Sequence, residues 1–166
     1  MRIKPELYRE AILQLPGKRR PKFQPAKSEY REWLTHSSLP GDLIDFLVEN
    51  ALKSHAPFFD SGGMMTPANI MKSNKREKVL IPNGLIQIGS GISGDPIVID
   101  FSVGVGQAGY VSHEALWEPG PKDPRASFAP VALSIGEFLY GLTTEDDFPI
   151  DYYSAQEIVR LYETVE

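Results

Sequence analysis

The sequence predicts an α+β domain with a central antiparallel meander flanked by N- and C-terminal helices. Three observations predict it. Apolar residues recur at helical spacing before about residue 52. Short β-rich runs separated by Gly, Pro and Asn fill 79 to 133. Two Ser-x-x-Glu capping boxes follow in the last third. Helices, then strands, then helices is the order of an α+β fold rather than of alternating βαβ units.

Lys4 to Leu15 reads as the first helix. Pro5 suits its first turn, Leu7, Ala11 and Leu15 share a face, and Pro16-Gly17 ends it. Lys18 to Pro25 is a basic, proline-punctuated linker. Ser28 to His36 reads as a second helix with Ser28 as its N-cap and Tyr30, Trp33 and Leu34 as its apolar stripe; Trp33 is expected in the core. A third helix starts at Leu39-Pro40 and runs to about Leu52. Leu43, Phe46 and Leu47 face inward, and Asp42, Asp45 and Glu49 face water. Ala56 to Pro67, with Gly62-Gly63 and two prolines, reads as a loop. Its Phe58, Phe59, Met64 and Met65 either plug the core or form an adaptable contact patch; the first is favoured, because loop apolars commonly pack inward. Thr66 to Lys72 is expected to give one or two helical turns.

Val79 to Ile81, Leu85 to Ile88, Pro96 to Phe101 and Gly109 to Ser112 are the candidate strands, with Asn83-Gly84 as a hairpin-type turn. Ile97, Ile99 and Phe101 alternate with Val98 and Asp100, so one face of that strand is apolar. His113 to Trp117 leaves the sheet as a turn or short helix. Glu118 to Pro130 is a proline-rich excursion, and Val131 to Leu133 adds a strand. The first capping box, Ser134 to Glu137, opens a helix through Phe138, Leu139 and Leu142. The second, Ser154 to Glu157, opens a helix with Ile158, Leu161, Tyr162 and Val165 on one face.

The chain also holds G-x-G-x-x-G twice, at Gly89-Ser-Gly91-Ile-Ser-Gly94 and at Gly104-Val-Gly106-Gln-Ala-Gly109. A dinucleotide fingerprint needs its last glycine to open a helix, whose N-terminal N–H groups hold the pyrophosphate. Here Pro96-Ile-Val-Ile and Tyr110-Val follow, and both read as strands. The nucleotide-binding reading is therefore disfavoured. Gly89, Gly94, Asp95 and Gly109 are assigned to turns, with the Asp95 carboxylate bonding nearby backbone N–H groups ahead of Pro96.

At 166 residues, 42% apolar and 23% charged, the chain fits one globular domain able to bury a substantial core. No run of about 18 apolar residues suggests a membrane span. The lack of cysteine removes disulfides, thiolate metal sites and cysteine nucleophiles. With no apolar core of a signal peptide near Met1, these features fit a cytoplasmic protein. His36, His55 and His113 stand in no metal-ligand spacing, there is no G-x-S-x-G elbow, and no P-loop lysine follows the glycines. Asp95 and Asp100 at odd spacing point to opposite faces of a regular strand, so they make a poor acid–base pair. No catalytic residue, cofactor or metal is expected.

The net charge of −5 hides an asymmetry. Residues 1–31 hold nine of the 17 bases and three of the 22 acids, a net of +6, which leaves −11 on residues 32–166. An acidic body repels nucleic acid and draws basic partners. The basic segment either touches an anionic surface or folds back on that body; the second is favoured, since charge blocks are commonly solvated.

From Tyr30 to about Leu142 the chain resembles the SUKH superfamily, which includes fungal cell-wall regulators of the Smi/Knr type and many bacterial immunity proteins. The resemblance rests on motifs in order. They are Leu39-Pro40 with Phe46-Leu47 and Asn50, the segment Asn69 to Asn74, Leu85-Ile-Gln-Ile88-Gly89, and Gly94-Asp95 leading into Ile97 to Asp100. Gly109-Tyr-Val111, His113-Glu114 and Ser134-Ile-Gly-Glu-Phe138-Leu139 complete the series. The chain departs from the family at Asn50-Ala51-Leu52, where Asn-Gly-Gly is common. The organisation is then 1–27 as a basic helix and linker, 28–142 as the SUKH-like α+β domain, and 143–166 as an acidic segment and C-terminal helix packing on that domain.

The resemblance implies a non-catalytic binding protein of the immunity type, which neutralises a cognate toxin, often a nuclease. Charge agrees: an acidic body can cover a basic nucleic-acid-binding surface. Direct nucleic-acid and membrane binding are not expected. The candidate partner-binding residues are Asp42, Asp45, Glu49, Glu145, Asp146, Asp147 and Asp151, with Trp117 as an aromatic anchor. A regulatory or scaffolding protein of the same fold is the alternative, and a nucleotide-binding enzyme is third.

Overall fold

A computed structural model describes residues 1–102, 104 and 106–163, with side chains of the last helix as far as Ile158. Among these residues there are seven α-helices and one six-stranded sheet, an α+β architecture. The strands are β1 (Ala56–Phe59), β2 (Gly62–Met64), β3 (Leu85–Ser90), β4 (Pro96–Asp100), β5 (Ala108–Val111) and β6 (Phe128–Ala132). They lie side by side in chain order and every pair is antiparallel, the meander that short strands with turn signals produce. The helices are α1 (Pro5–Leu13), α2 (Ser28–His36), α3 (Gly41–Glu49), α4 (Pro67–Arg76), α5 (His113–Trp117), α6 (Ile135–Thr144) and α7 (Tyr152–Glu163).

The main core fills one face of the sheet. Ile86, Ile88, Ile97, Ile99, Ala108 and Tyr110 point into it from the strands. They meet Tyr8, Ala11 and Ile12 of α1, Leu34 of α2, Leu43, Phe46 and Leu47 of α3, and Phe138 and Leu139 of α6. The opposite strand positions Leu85, Val98 and Val111 are not solvated. Leu80 and Leu116 cover them and make a second, smaller core. One apolar face was expected on β4; both are buried, because the chain before β3 and the helix after β5 fold over the reverse side.

Several expected elements differ. Val79 to Ile81 is no strand: the chain turns through residues 77–80 and makes a 3-10 turn at Ile81–Asn83 that Gly84 closes at φ 76°. Asn83-Gly84 is therefore the entry to β3 rather than a hairpin. The segment expected as a loop after residue 56 is the β1–β2 hairpin, with Met64 buried and Phe58, Phe59 and Met65 packed on the core. Ser28 is the first residue of α2 rather than its cap. Gly89 and Gly109 are strand residues, not turn residues. A Cβ on Gly89 would fall 2.7 Å from the Gly63 carbonyl oxygen, and one on Gly109 2.1 Å from that of Ala129. Glycine stands there because a neighbouring strand passes too close for any side chain. Gly94 is a turn residue as expected, at φ 90°.

Ser134 caps α6 as expected, its Oγ accepting from the Glu137 N–H at 3.1 Å, but the Glu137 carboxylate accepts from the Ser134 hydroxyl at 3.0 Å rather than from its N–H, so the reciprocal half of the box is replaced. The last helix starts three residues earlier than expected, its cap moved from Ser154 to Asp151. Asp151 caps it, accepting from the Ser154 N–H at 2.8 Å, while the Ser154 Oγ accepts from the Asp151 N–H at 3.2 Å. Ser154 is thus the returning partner of a box rather than its opening residue. Leu161, Tyr162 and Val165 of the expected apolar face lie outside the described side chains. The basic N-terminal segment folds back on the body. The helix α1 packs on α6, and the Gly136 N–H donates to the Ile3 carbonyl at 3.0 Å.

Candidate protein-binding surface

Asp95 follows the Gly91–Gly94 turn and is 1% exposed. Its Oδ1 accepts from the His113 N–H at 2.9 Å and from the His113 ring Nδ1 at 2.6 Å. Its Oδ2 accepts from the Tyr152 N–H at 3.0 Å and the Ser93 hydroxyl at 3.1 Å. His113 and Tyr152 are the first residues of α5 and α7, whose opening N–H groups have no partner inside their own helices. One carboxylate therefore joins two helix starts to the β3–β4 turn. Burial by itself raises the Asp95 carboxyl; the hydrogen bonds from His113, Tyr152 and Ser93 outweigh it and hold the group below the usual carboxylate range. The expected bonds to nearby backbone N–H groups are not what Asp95 makes: its backbone donors lie 18 and 57 residues away, and its local partner is the Ser93 hydroxyl.

A cluster of exposed apolar side chains surrounds this junction. Trp117 is 71% exposed, Tyr153 51%, Ile150 41% and Ile92 38%. Trp117 lies edge-on to the His113 ring, with centroids 4.9 Å apart. The Tyr153 hydroxyl bonds the Glu114 carboxylate, and that bond raises the hydroxyl above its ordinary pKa. The Ile92 N–H reaches the Ile150 carbonyl at 3.5 Å, and the Tyr110 hydroxyl donates to the Pro149 carbonyl at 2.9 Å. These bonds pin the end of the acidic segment to the sheet and leave Glu145, Asp146 and Asp147 exposed beside it. Asp151 is half-buried, and its carboxylate is engaged as the cap of α7.

The other candidate acids lie elsewhere. Asp42, Asp45 and Glu49 are exposed on α3 and line a groove of about 500 Å³ with Lys4, Glu6 and Arg9. Asp45 pairs with Arg31 at 2.9 Å, Asp42 with the Met1 amino group at 2.5 Å, and Arg2 with Glu137 at the start of α6. Glu145 follows the far end of that ten-residue helix, roughly 15 Å along at 1.5 Å per residue. The α3 acids therefore lie apart from Glu145 and the segment that follows it.

Asp100 is also buried, on the reverse face of the sheet. Arg125 grips it with two bonds of 3.2 and 2.6 Å, and the Ser102 N–H and hydroxyl complete its shell. Burial raises this carboxyl, and the Arg125 and Ser102 hydrogen bonds override that and lower it. Arg125 also donates to the Asn83 carbonyl at 3.0 Å, so it fastens the proline-rich excursion over the second core. His36 and His55 are exposed. Among the described residues no three His, Asp or Glu side chains are grouped to hold a metal ion, and no helix is long and apolar enough to cross a membrane.

Sequence reasoning singled out Trp117 by residue type but did not find the exposed Tyr153, Ile150 and Ile92 or the bond between His113 and Asp95. The Asp-x-x-Ser spacing at 151–154 was a legible cap signal that would have placed Tyr152 at a helix start. Nothing local signals that Asp95 reaches it. No family model matches the chain, and no curated protein or solved structure matches it either.

Proposed function

We propose that the chain is a non-catalytic protein-binding module of the immunity type, which neutralises a basic, nuclease-type toxin domain by covering its nucleic-acid-binding surface. The observation that carries this reading is Trp117. A tryptophan left 71% exposed, with Glu114 and Glu118 in and after its own short helix, has the composition of a binding anchor rather than of a packing residue. The order of the SUKH-like motifs and the acidic balance of residues 32–166 support it.

The test is affinity capture on the immobilised chain, with elution in salt steps and mass spectrometry of the eluate. The expected result is a basic protein released by salt, whose nuclease activity the chain abolishes at stoichiometric ratio. Recovery of ordinary cellular proteins, or of nothing at any salt, sinks the reading in favour of a regulatory role.

A further inference from the structure

We propose that the face carrying Trp117, Tyr153, Ile150 and Ile92 is the docking surface, and that its occupant is a basic protein segment bearing an apolar side chain. This rests on the binding-module reading and assigns its interface. Large apolar groups scattered singly on a surface need no explanation, but here four are gathered over one junction. Ile92 bonds Ile150 through the backbone, Tyr153 bonds Glu114, and Trp117 lies on the ring of His113. Beneath them the Asp95 carboxylate fixes His113 and Tyr152. The anchors thus stand on a support that is already ordered, which lowers the entropy cost of association.

Charge selects the occupant. Glu114 and Glu118 flank Trp117 on one side, and Asp146 and Asp147 precede Ile150 by four and three residues on the other. Among the described residues, none of these four forms an ion pair with a Lys or Arg. One base reaches this face, Lys122, whose ammonium donates to the Ala115 carbonyl of α5 at 3.3 Å. Four others serve α3 and α6. Arg31 is on Asp45, Arg2 is on Glu137, and Lys4 and Arg9 line the α3 groove. The N-terminal segment therefore compensates the α3 acids, while Lys122 alone against Glu114, Glu118, Asp146 and Asp147 leaves the Trp117 face negative. A second copy would set acid against acid, whereas a basic segment meets complementary potential.

The test pans a random-peptide phage library on the full chain and measures binding of the enriched peptides to two variants. Enrichment of Lys/Arg-rich peptides that carry an aromatic or aliphatic residue is expected. Affinity should fall about tenfold or more in W117A/Y153A and in the charge reversal E118K/D147K, and stay unchanged in D42N/D45N/E49Q. The charge-reversal variant carries the test if the first variant fails to fold. Basic peptides lost only in the α3 variant would overturn the assigned face and leave the basic-partner reading standing. Acidic or neutral peptides, or no enrichment, would overturn both.

Discussion

Asn74 holds Gln87 by both of its main-chain groups. The Asn74 side-chain amide donates to the Gln87 carbonyl at 2.8 Å, and its Oδ1 accepts from the Gln87 N–H at 2.9 Å. The strand β2 reaches only as far as Met64 opposite Gly89, so a side chain from α4 takes the place of a neighbouring strand at Gln87. Both partners are buried. Asn74→Ala leaves a buried N–H and a buried C=O unpaired, and is expected to cost about 3 kcal/mol. Urea denaturation measures the loss, and hydrogen exchange should show Gln87 losing its protection.

Asp95→Ala removes the acceptor of four hydrogen bonds at once and strands two helix-start N–H groups. The expected cost is about 3 kcal/mol. Trp117→Ala, at an exposed position in the same region, should stay within about 0.5 kcal/mol of the parent. Paired denaturation curves check whether the load is carried by the junction rather than by the exposed ring.

Both buried carboxylates make stability depend on acid. Asp95 and Asp100 have lower pKa values in the folded chain than the unfolded value of about 3.9. The unfolded chain therefore binds protons first as pH falls. The stabilisation is complete above that unfolded value and drains away as pH drops through the lower folded values. Stability measured from neutral pH downward should fall along this limb. The double variant D95N/D100N should start lower and fall less steeply; an unchanged slope would refute the linkage.

Arg125→Met leaves Asp100 buried without its counter-charge and is expected to cost about 3 kcal/mol. Adding Asp100→Asn to that variant should recover part of the loss, because the stranded charge is gone. Chemical denaturation of the two single variants and the double closes the cycle.

Gly109→Ala drives a methyl group toward the Ala129 carbonyl oxygen, 2.1 Å from the ideal Cβ position. Both are backbone-held, so strands β5 and β6 must separate. A loss of about 1–3 kcal/mol is expected in thermal or urea unfolding.

The periodic segments were legible because local spacing reports which face is buried: α1, α2, α3 and α6 start and stop near their expected positions. The strands with branched side chains were legible for the same reason. The β1–β2 hairpin was not, since Pro57, Gly62 and Gly63 carry loop chemistry and only pairing with β3 makes them strand. Val79 to Ile81 has strand composition, yet Pro82 and the burial of Leu80 in the second core turn it aside. On the exposed apolar face, Trp117 could be singled out by residue type. Tyr153 and Ile150 could not, because their neighbourhood depends on a bond between Asp95 and Tyr152 that spans 57 residues.

The packing of α1 on α6 sets an order of assembly. These helices lie about 130 residues apart, so at roughly 5–20 residues per second the ribosome leaves α1 without α6 for roughly 6 to 26 seconds. During that interval Tyr8 can meet Phe23 and Phe46, but α1 lacks the α6 face it packs on. The first helix made is among the last to dock, and a nascent chain stopped before residue 135 should bind chaperones and be cut by proteases near its own beginning.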